Sequence, residues 1–153
     1  MATRPPPAAT TAAEPSRAER AHTVLIAILG TAFLVSIIHY TDNYLGYEHY
    51  PQPESGPNPS ASVILLAWFV FTAFGVAGYL LFRRSRMRAA AACLAVYSLS
   101  GLVGLGHYAV PGVGRLEWWR HAHILVDVAC GAAVLAFAGW LRARSSQRSV
   151  ERG

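Results

Sequence analysis

Four apolar stretches dominate this sequence and constrain what it can fold into. They cover about residues 23–40, 61–82, 89–106 and 121–141. Each is close to the ~20 residues that a helix needs to cross a hydrocarbon core of ~30 Å. Hydrophobic residues make up 54% of the chain and charged residues 14%, far from the balance of a soluble protein. The pattern predicts an all-α membrane protein with four transmembrane helices.

The arginines predict how these helices are oriented. All 13 basic residues are arginine, and all but two precede the first span, link the second to the third, or follow the fourth. Only Arg115 and Arg120 fall in the two remaining loops. The positive-inside rule then predicts an antiparallel bundle in the plasma membrane, with its N and C termini in the cytoplasm. Because topology accounts for the positive charge, we expect no nucleic-acid partner.

The segments at both ends of the chain are predicted to be tails. Residues 1–20 are rich in Pro, Ala and Thr and bury too little apolar surface to fold, so we expect a disordered cytoplasmic tail. Residues 21–142 form the predicted transmembrane domain, and residues 143–153 form a second cytoplasmic tail. No A-x-A-like cleavage site follows the first span before Tyr40, so we interpret this span as an uncleaved anchor.

Five of the six histidines are predicted to lie at one end of the helices. Helices one and three run outward and end at His39 and His107, while helix four begins just before His121 and His123. His49 lies in the first outer loop, and only His22 belongs to the other side. The topology therefore predicts an outward-facing polar pocket.

Asp127 is the one charge that the sequence places inside the hydrocarbon. A carboxylate there costs some ~2.5 to 3.5 kcal/mol on insertion scales, so it is expected to face the bundle interior and to have a partner. The predicted partner is either His123, which lies four residues earlier on the same helical face, or a histidine from another helix. His39 and Asp42, three residues apart, are predicted to pair in the same way if helix one continues past Tyr40.

These residue types predict a pocket that binds a metal ion or small ligand, which is the interpretation we favour. Imidazoles and carboxylates are the usual ligands of Zn, Cu and Fe, and a carboxylate often orients a ligating ring. The predicted metal ligands are His39, His107, His123 and Asp127. The second-tier candidates are Asp42, His49 and His121. Haem held between two histidines is a less favoured cofactor.

Two alternatives stay open at this stage. His123 and Asp127 could be catalytic, as a general base and its orienting partner, acting on an isoprenoid or other lipid that enters from the bilayer. The chain could instead be an accessory subunit, whose polar residues contact a partner in a homo-oligomer or a larger membrane complex. The least specific explanation assigns these residues no function. The histidines near the interface would then be solvated residues at helix ends, and His123 with Asp127 would form an interhelical hydrogen bond that only fixes packing.

Overall fold

The chain forms four long helices in a computed structural model that describes residues 14, 16–55 and 58–150, the side chains of 148–150 excepted. The four are α1 (Arg17–Leu45), α2 (Ala61–Arg83), α3 (Met87–Leu102) and α4 (Trp118–Val150). Short 3-10 helices cover Tyr47–His49, Val103–Ala109 and Val113–Arg115. The described part of the chain has no strand, and the predicted all-α class is confirmed.

All four helices are long and apolar enough to cross a membrane, once the 3-10 turn after α3 is included. They also leave large apolar side chains uncovered, among them Leu34 at 64%, Leu66 at 62% and Leu125 at 53% exposure. Contiguous apolar surface of this kind is rare on soluble monomers but suits contact with lipid chains. The helices therefore indicate a multi-pass membrane protein.

Two helices extend beyond the predicted spans. Helix α1 begins at Arg17, where Ser16 and Glu19 form a capping box that satisfies the free backbone N–H groups of the first turn. It then continues past Tyr40 to Leu45. Helix α4 continues to Val150, through most of the segment predicted to be a C-terminal tail. Of the predicted N-terminal tail, residues 1–13 and 15 lie outside the described residues.

Contacts between helix ends define two ends of the bundle. At one end the start of α1 contacts the end of α2, where His22 Nε2 lies 3.3 Å from the Tyr79 hydroxyl. Farther along, the Trp68 indole N–H donates to Ser36 Oγ at 3.0 Å. We call the end at which His22 meets Tyr79 the arginine end, because Arg83 lies there. The opposite end of the bundle, which contains the end of α1 and the start of α4, is called the histidine end.

Glycines allow close approach where helices cross. A Cβ atom on Gly101 of α3 would lie 2.1 Å from the backbone carbonyl oxygen of Asp127, and one on Gly131 of α4 would lie 2.7 Å from that of Ser98. The helices α3 and α4 therefore touch backbone to backbone, as helices in membranes do where small residues face each other. This close contact places Asp127 against α3.

The buried apolar core lies mainly toward the arginine end. Its buried side chains come from α1, α3 and α4 and include Leu25, Leu94, Val134, Phe137 and Leu141. At the histidine end a much smaller apolar cluster contains Tyr50, Leu116 and Ile124. Polar and charged side chains occupy the remaining interior there, which is where the candidate site lies.

We expect Gly101→Ala to lower thermal stability in detergent, because the added methyl group must push α3 away from α4. Overpacking of this kind costs about 1–3 kcal/mol. Gly30→Ala is the matched control, since a Cβ atom at Gly30 would meet nothing within 4 Å and alanine favours a helix interior. Tryptophan fluorescence during heating measures both. A Gly101→Ala protein that melts with the wild type would contradict the close α3–α4 contact.

Candidate ligand-binding site at the histidine end

The interior of the histidine end contains a hydrogen bond between α1 and α4. His39 Nδ1 lies 2.7 Å from Asp127 Oδ2, and both side chains are almost fully buried. An ionised carboxylate only accepts hydrogen bonds, so Nδ1 carries the proton and donates it. In the neutral ring this leaves the lone pair on Nε2. Gly104, in the 3-10 turn after α3, packs against the Cε1 side of the His39 ring.

A second interaction joins the same two helices, this time between a histidine of α4 and an aspartate of α1. His123 of α4 places Nε2 3.2 Å from Oδ2 of Asp42 on α1. The same carboxylate oxygen accepts a hydrogen bond from the Tyr50 hydroxyl. Each helix thus supplies one histidine and one aspartate, and each histidine bonds the aspartate of the other helix.

This arrangement corrects the predicted pairings within single helices. Asp127 bonds His39 of another helix, which is the second of its two predicted partners, and not His123. The predicted pair of His39 and Asp42 is wrong, because Asp42 instead contacts His123. Residues three or four apart do share a helical face, as expected. Both faces, however, point at the opposite helix, so each side chain finds its nearest partner across the interface rather than on its own helix.

Arg120 adds a positive charge beside Asp42. Its Nε atom lies 3.6 Å from Asp42 Oδ2 and 3.3 Å from Glu117 Oε2. The guanidinium group also lies over the rings of Tyr50 and Trp119, with its central carbon 5.2 and 5.0 Å from the two ring centroids. Arg120 is buried although it was expected in a loop, so its charge is balanced here by carboxylates and aromatic faces.

Tyr50, in the first loop, also contacts Asp42. Its side chain is buried, and burial raises the pKa of the phenol well above its usual value near 10. The hydrogen bond to the Asp42 carboxylate and the negative charge of Asp42 raise this pKa further, because both disfavour the phenolate. Tyr50 therefore remains a hydrogen-bond donor to Asp42 at neutral pH.

His107 brings the third imidazole to the group. Its ring centroid lies 5.7 Å from that of His39 and 4.9 Å from that of Tyr50. The His39 and His123 rings are 5.3 Å apart. We call His39, Asp42, His107, His123 and Asp127 the His/Asp group. The structure thus brings together the four first-tier candidates and one of the second tier.

The other two second-tier residues lie apart from this group. His49 is exposed in the 3-10 turn after α1. His121 is half-buried on α4, where its Nδ1 lies 3.2 Å from the hydroxyl of Tyr108. Being near the same end of the bundle therefore does not bring every histidine into the interior.

The geometry does not support the metal-binding prediction. Zn²⁺ requires three or four donor atoms that converge on one point at ~2.0–2.3 Å. Among residues 14, 16–55 and 58–150, no group of three or more His, Cys, Asp or Glu side chains could hold a metal ion. His39 Nδ1 and His123 Nε2 are instead directed at carboxylates. Zn, Cu, Fe and haem stay predictions from the sequence.

A cavity of about 450 Å³ lies beside the His/Asp group. It extends between α1, α2, the 3-10 turn after α3 and the first loop. His39, Asn43, Tyr47, Tyr50 and His107 supply its polar wall. Its apolar wall includes Val63, Ile64, Ala67, Phe71 and Val103. His39 and His107 therefore belong both to the His/Asp group and to the cavity.

Sequence reasoning missed Arg120, Tyr50 and Asn43 as members of this site. Arg120 carried a usable signal, because it is one of two arginines on the side where the positive-inside rule disfavours them, and it lies three residues before His123. Tyr50 resembled an interfacial aromatic residue, and nothing in the sequence set Asn43 apart.

Comparisons with protein-family models, with curated proteins and with solved structures return no match.

We expect His39 and Asp127 to be energetically coupled. In a double-mutant cycle of His39→Gln and Asp127→Asn, the coupling energy should fall in the range of about 0.5–3 kcal/mol that directly bonded residues show. The cycle of His123→Gln and Asp127→Asn should give a smaller value, because these two side chains are not bonded to each other. Loss of helicity on titration with a denaturing detergent measures both cycles. The reverse order of coupling would contradict the interhelical pairing.

Proposed function

We propose that this chain is a multi-pass protein of the plasma membrane that binds a small, partly apolar molecule in the cavity beside the His/Asp group. The composition of the cavity wall carries this proposal. A few hydrogen-bonding side chains stand in an otherwise apolar lining, which is how proteins both bury and orient small molecules. The volume of about 450 Å³ also falls within the ~300–1,000 Å³ of ordinary ligand pockets.

Two side chains are suited to recognise the polar part of such a ligand. Asn43 and His107 line the cavity, and neither side chain makes a hydrogen bond within the described part of the chain. Their amide and imidazole groups can each donate and accept. A ligand that offered a carbonyl or hydroxyl group here would satisfy both, while its apolar part contacted Phe71 and Val63.

We further propose that the cavity faces the outside of the cell and that both chain termini are cytoplasmic. The distribution of arginine supports this orientation, because the histidine end carries only Arg115 and Arg120. The contacts between helix ends support sequential helices that run in opposite directions.

Reporter fusions test this orientation. A fusion placed after Arg142 should behave as cytoplasmic, and one inserted at Ser55 should behave as external, because the positive-inside rule holds the arginine-rich segments inside. Replacing the arginines between α2 and α3 should weaken this preference. An external signal after Arg142 would contradict the orientation and place the cavity inside the cell.

Identification of co-purifying molecules tests the ligand proposal. We expect a small molecule at near-stoichiometric amounts in extracts of protein purified in mild detergent. Asn43→Leu and His107→Phe should each lower its amount roughly tenfold, the effect of losing a hydrogen bond to a bound ligand. The quantity is measured by mass spectrometry of the extract.

Controls distinguish the cavity from its surroundings. His49→Phe changes an exposed histidine at the same end and should leave the ligand bound, and Glu54→Gln, in the same loop, should behave in the same way. Equal loss in His49→Phe and His107→Phe would overturn the proposal. Elemental analysis of the same samples tests the metal prediction, and a stoichiometric metal lost in His107→Phe would replace the small molecule as the ligand.

A second candidate function is proton transfer to or from the bound molecule. One observation favours it: His39 lines the cavity and donates Nδ1–H to buried Asp127. Asp127 would hold the ring in the tautomer whose Nε2 accepts a proton, as in oriented general bases. The base would then be His39 rather than His123. An isoprenoid or other lipid is the proposed substrate class.

This second candidate predicts a separation of binding from turnover. His39→Gln should retain the co-purifying molecule and change its chemical form from product to substrate, and Asp127→Asn should do the same. His123→Gln should leave the form unchanged. An identical molecule in all four proteins would rule out catalysis by His39 and leave binding as the function.

A further inference from the structure

A second cavity lies at the arginine end, remote from the His/Asp group. Its volume is about 500 Å³, and it is lined by the start of α1, the end of α2 with the link to α3, and the later part of α4. Each of α1, α2 and α4 contributes one arginine to its lining. These are Arg17, Arg83 and Arg144.

The described residues supply no counter-charge to the positive charge of this cavity. No Asp or Glu in the described part of the chain belongs to its lining. None of the ion pairs among the described residues involves Arg17, Arg83 or Arg144. The nearest acidic side chain along α1, Glu19, is exposed and hydrogen-bonded to the backbone N–H of Ser16. Three guanidinium groups therefore share one concave surface to which no described carboxylate contributes, which favours an anionic ligand.

The rest of the lining is apolar and aromatic. Phe82, Trp140 and Leu141 belong to it, and Leu141 is part of the bundle core. The Arg144 guanidinium carbon lies 4.3 Å from the centroid of the Trp140 ring. Charged groups thus stand beside apolar surface of the spans, so a fitting ligand has an anionic head and an apolar body.

We propose that this cavity binds the phosphate group of an anionic phospholipid, with an acyl chain lying against the apolar wall. Guanidinium groups match phosphate geometry with paired hydrogen bonds. Basic pockets between transmembrane helices bind such headgroups at the cytoplasmic face, which is the face where the arginine distribution places this end. The proposal uses no residue of the histidine-end cavity and stands independently of the ligand bound there.

Native mass spectrometry of the full chain tests this inference. The purified protein is mixed with phosphatidylglycerol or phosphatidylcholine, and bound lipids are counted after mild activation. We expect preferential retention of phosphatidylglycerol. Arg83→Gln and Arg144→Gln should each lower its retention about fivefold, which corresponds to ~1 kcal/mol per arginine near a lipid headgroup.

Neighbouring arginines provide matched controls for charge. Arg84→Gln and Arg142→Gln remove the same charge at the same end. Their positions are exposed, as those of Arg83 and Arg144 are, but they do not line the cavity. They should retain phosphatidylglycerol as the wild type does. Equal losses from cavity and control variants, or no preference over phosphatidylcholine in the wild type, would overturn the proposal and indicate only a diffuse basic surface.

Inorganic phosphate distinguishes a lipid from a soluble ligand. The lipid should raise the melting temperature of the wild type but not of Arg83→Gln, and phosphate at millimolar concentration should have little effect. If phosphate alone stabilised the protein as much as phosphatidylglycerol, and the same arginines were required, the lipid assignment would be overturned in favour of a soluble phosphate compound.

Discussion

A carboxylate buried between apolar helices is the constraint on which the histidine end depends. Asp127 is 2% exposed, and a charge at such a position is tolerated only beside a hydrogen-bonding partner. His39 supplies that partner from α1 at 2.7 Å. The bond fixes the relative position of α1 and α4, and the reciprocal bond between His123 and Asp42 repeats the constraint nearer the helix ends. Together they set the register of two helices that apolar contacts alone would leave free to slide.

The two ends of the bundle differ because only one is filled with apolar side chains. Toward the arginine end, Leu25, Leu94 and Val134 pack closely and are almost fully buried. At the histidine end, rings and carboxylates with directional bonds take their place, and they cannot fill space as evenly as aliphatic side chains. The cavity beside His39 and His107 lies where these polar side chains meet α2. The cavity at this end thus follows from how the buried charge is accommodated.

The membrane architecture was predictable from the sequence, whereas the pairings were not. The four spans follow from apolar length alone. Spacing also placed His39, His107, His123 and Asp127 at one end. Spacing within a helix, however, shows which residues share a face and does not show which neighbour that face meets. Spacing therefore left two partners open for Asp127 and did not show that His123 contacts Asp42.

The positions of Tyr50 and Arg120 could not be predicted, because they depend on the path of the first loop and on how deeply the start of α4 is buried. Tyr50 enters the interior because the loop after α1 folds back over Asp42, which no periodic pattern encodes. Arg120 lies in the first turn of α4, directly after exposed residues. An estimate of depth from the sequence therefore could not show whether this arginine is buried or solvated. Both residues change the chemistry, because they add a donor and a positive charge beside Asp42.

Solid-state NMR on the protein in lipid bilayers measures the central interaction directly. With ¹⁵N-labelled histidine and ¹³C-labelled aspartate, dipolar recoupling reports the separation of the His39 Nδ1 atom from the Asp127 carboxyl carbon. A hydrogen bond requires this separation to be under about 4 Å, and the signal should vanish in the Asp127→Asn protein. An Asp127 carboxyl group that lies beside His123 instead, or beside no histidine, would contradict the account.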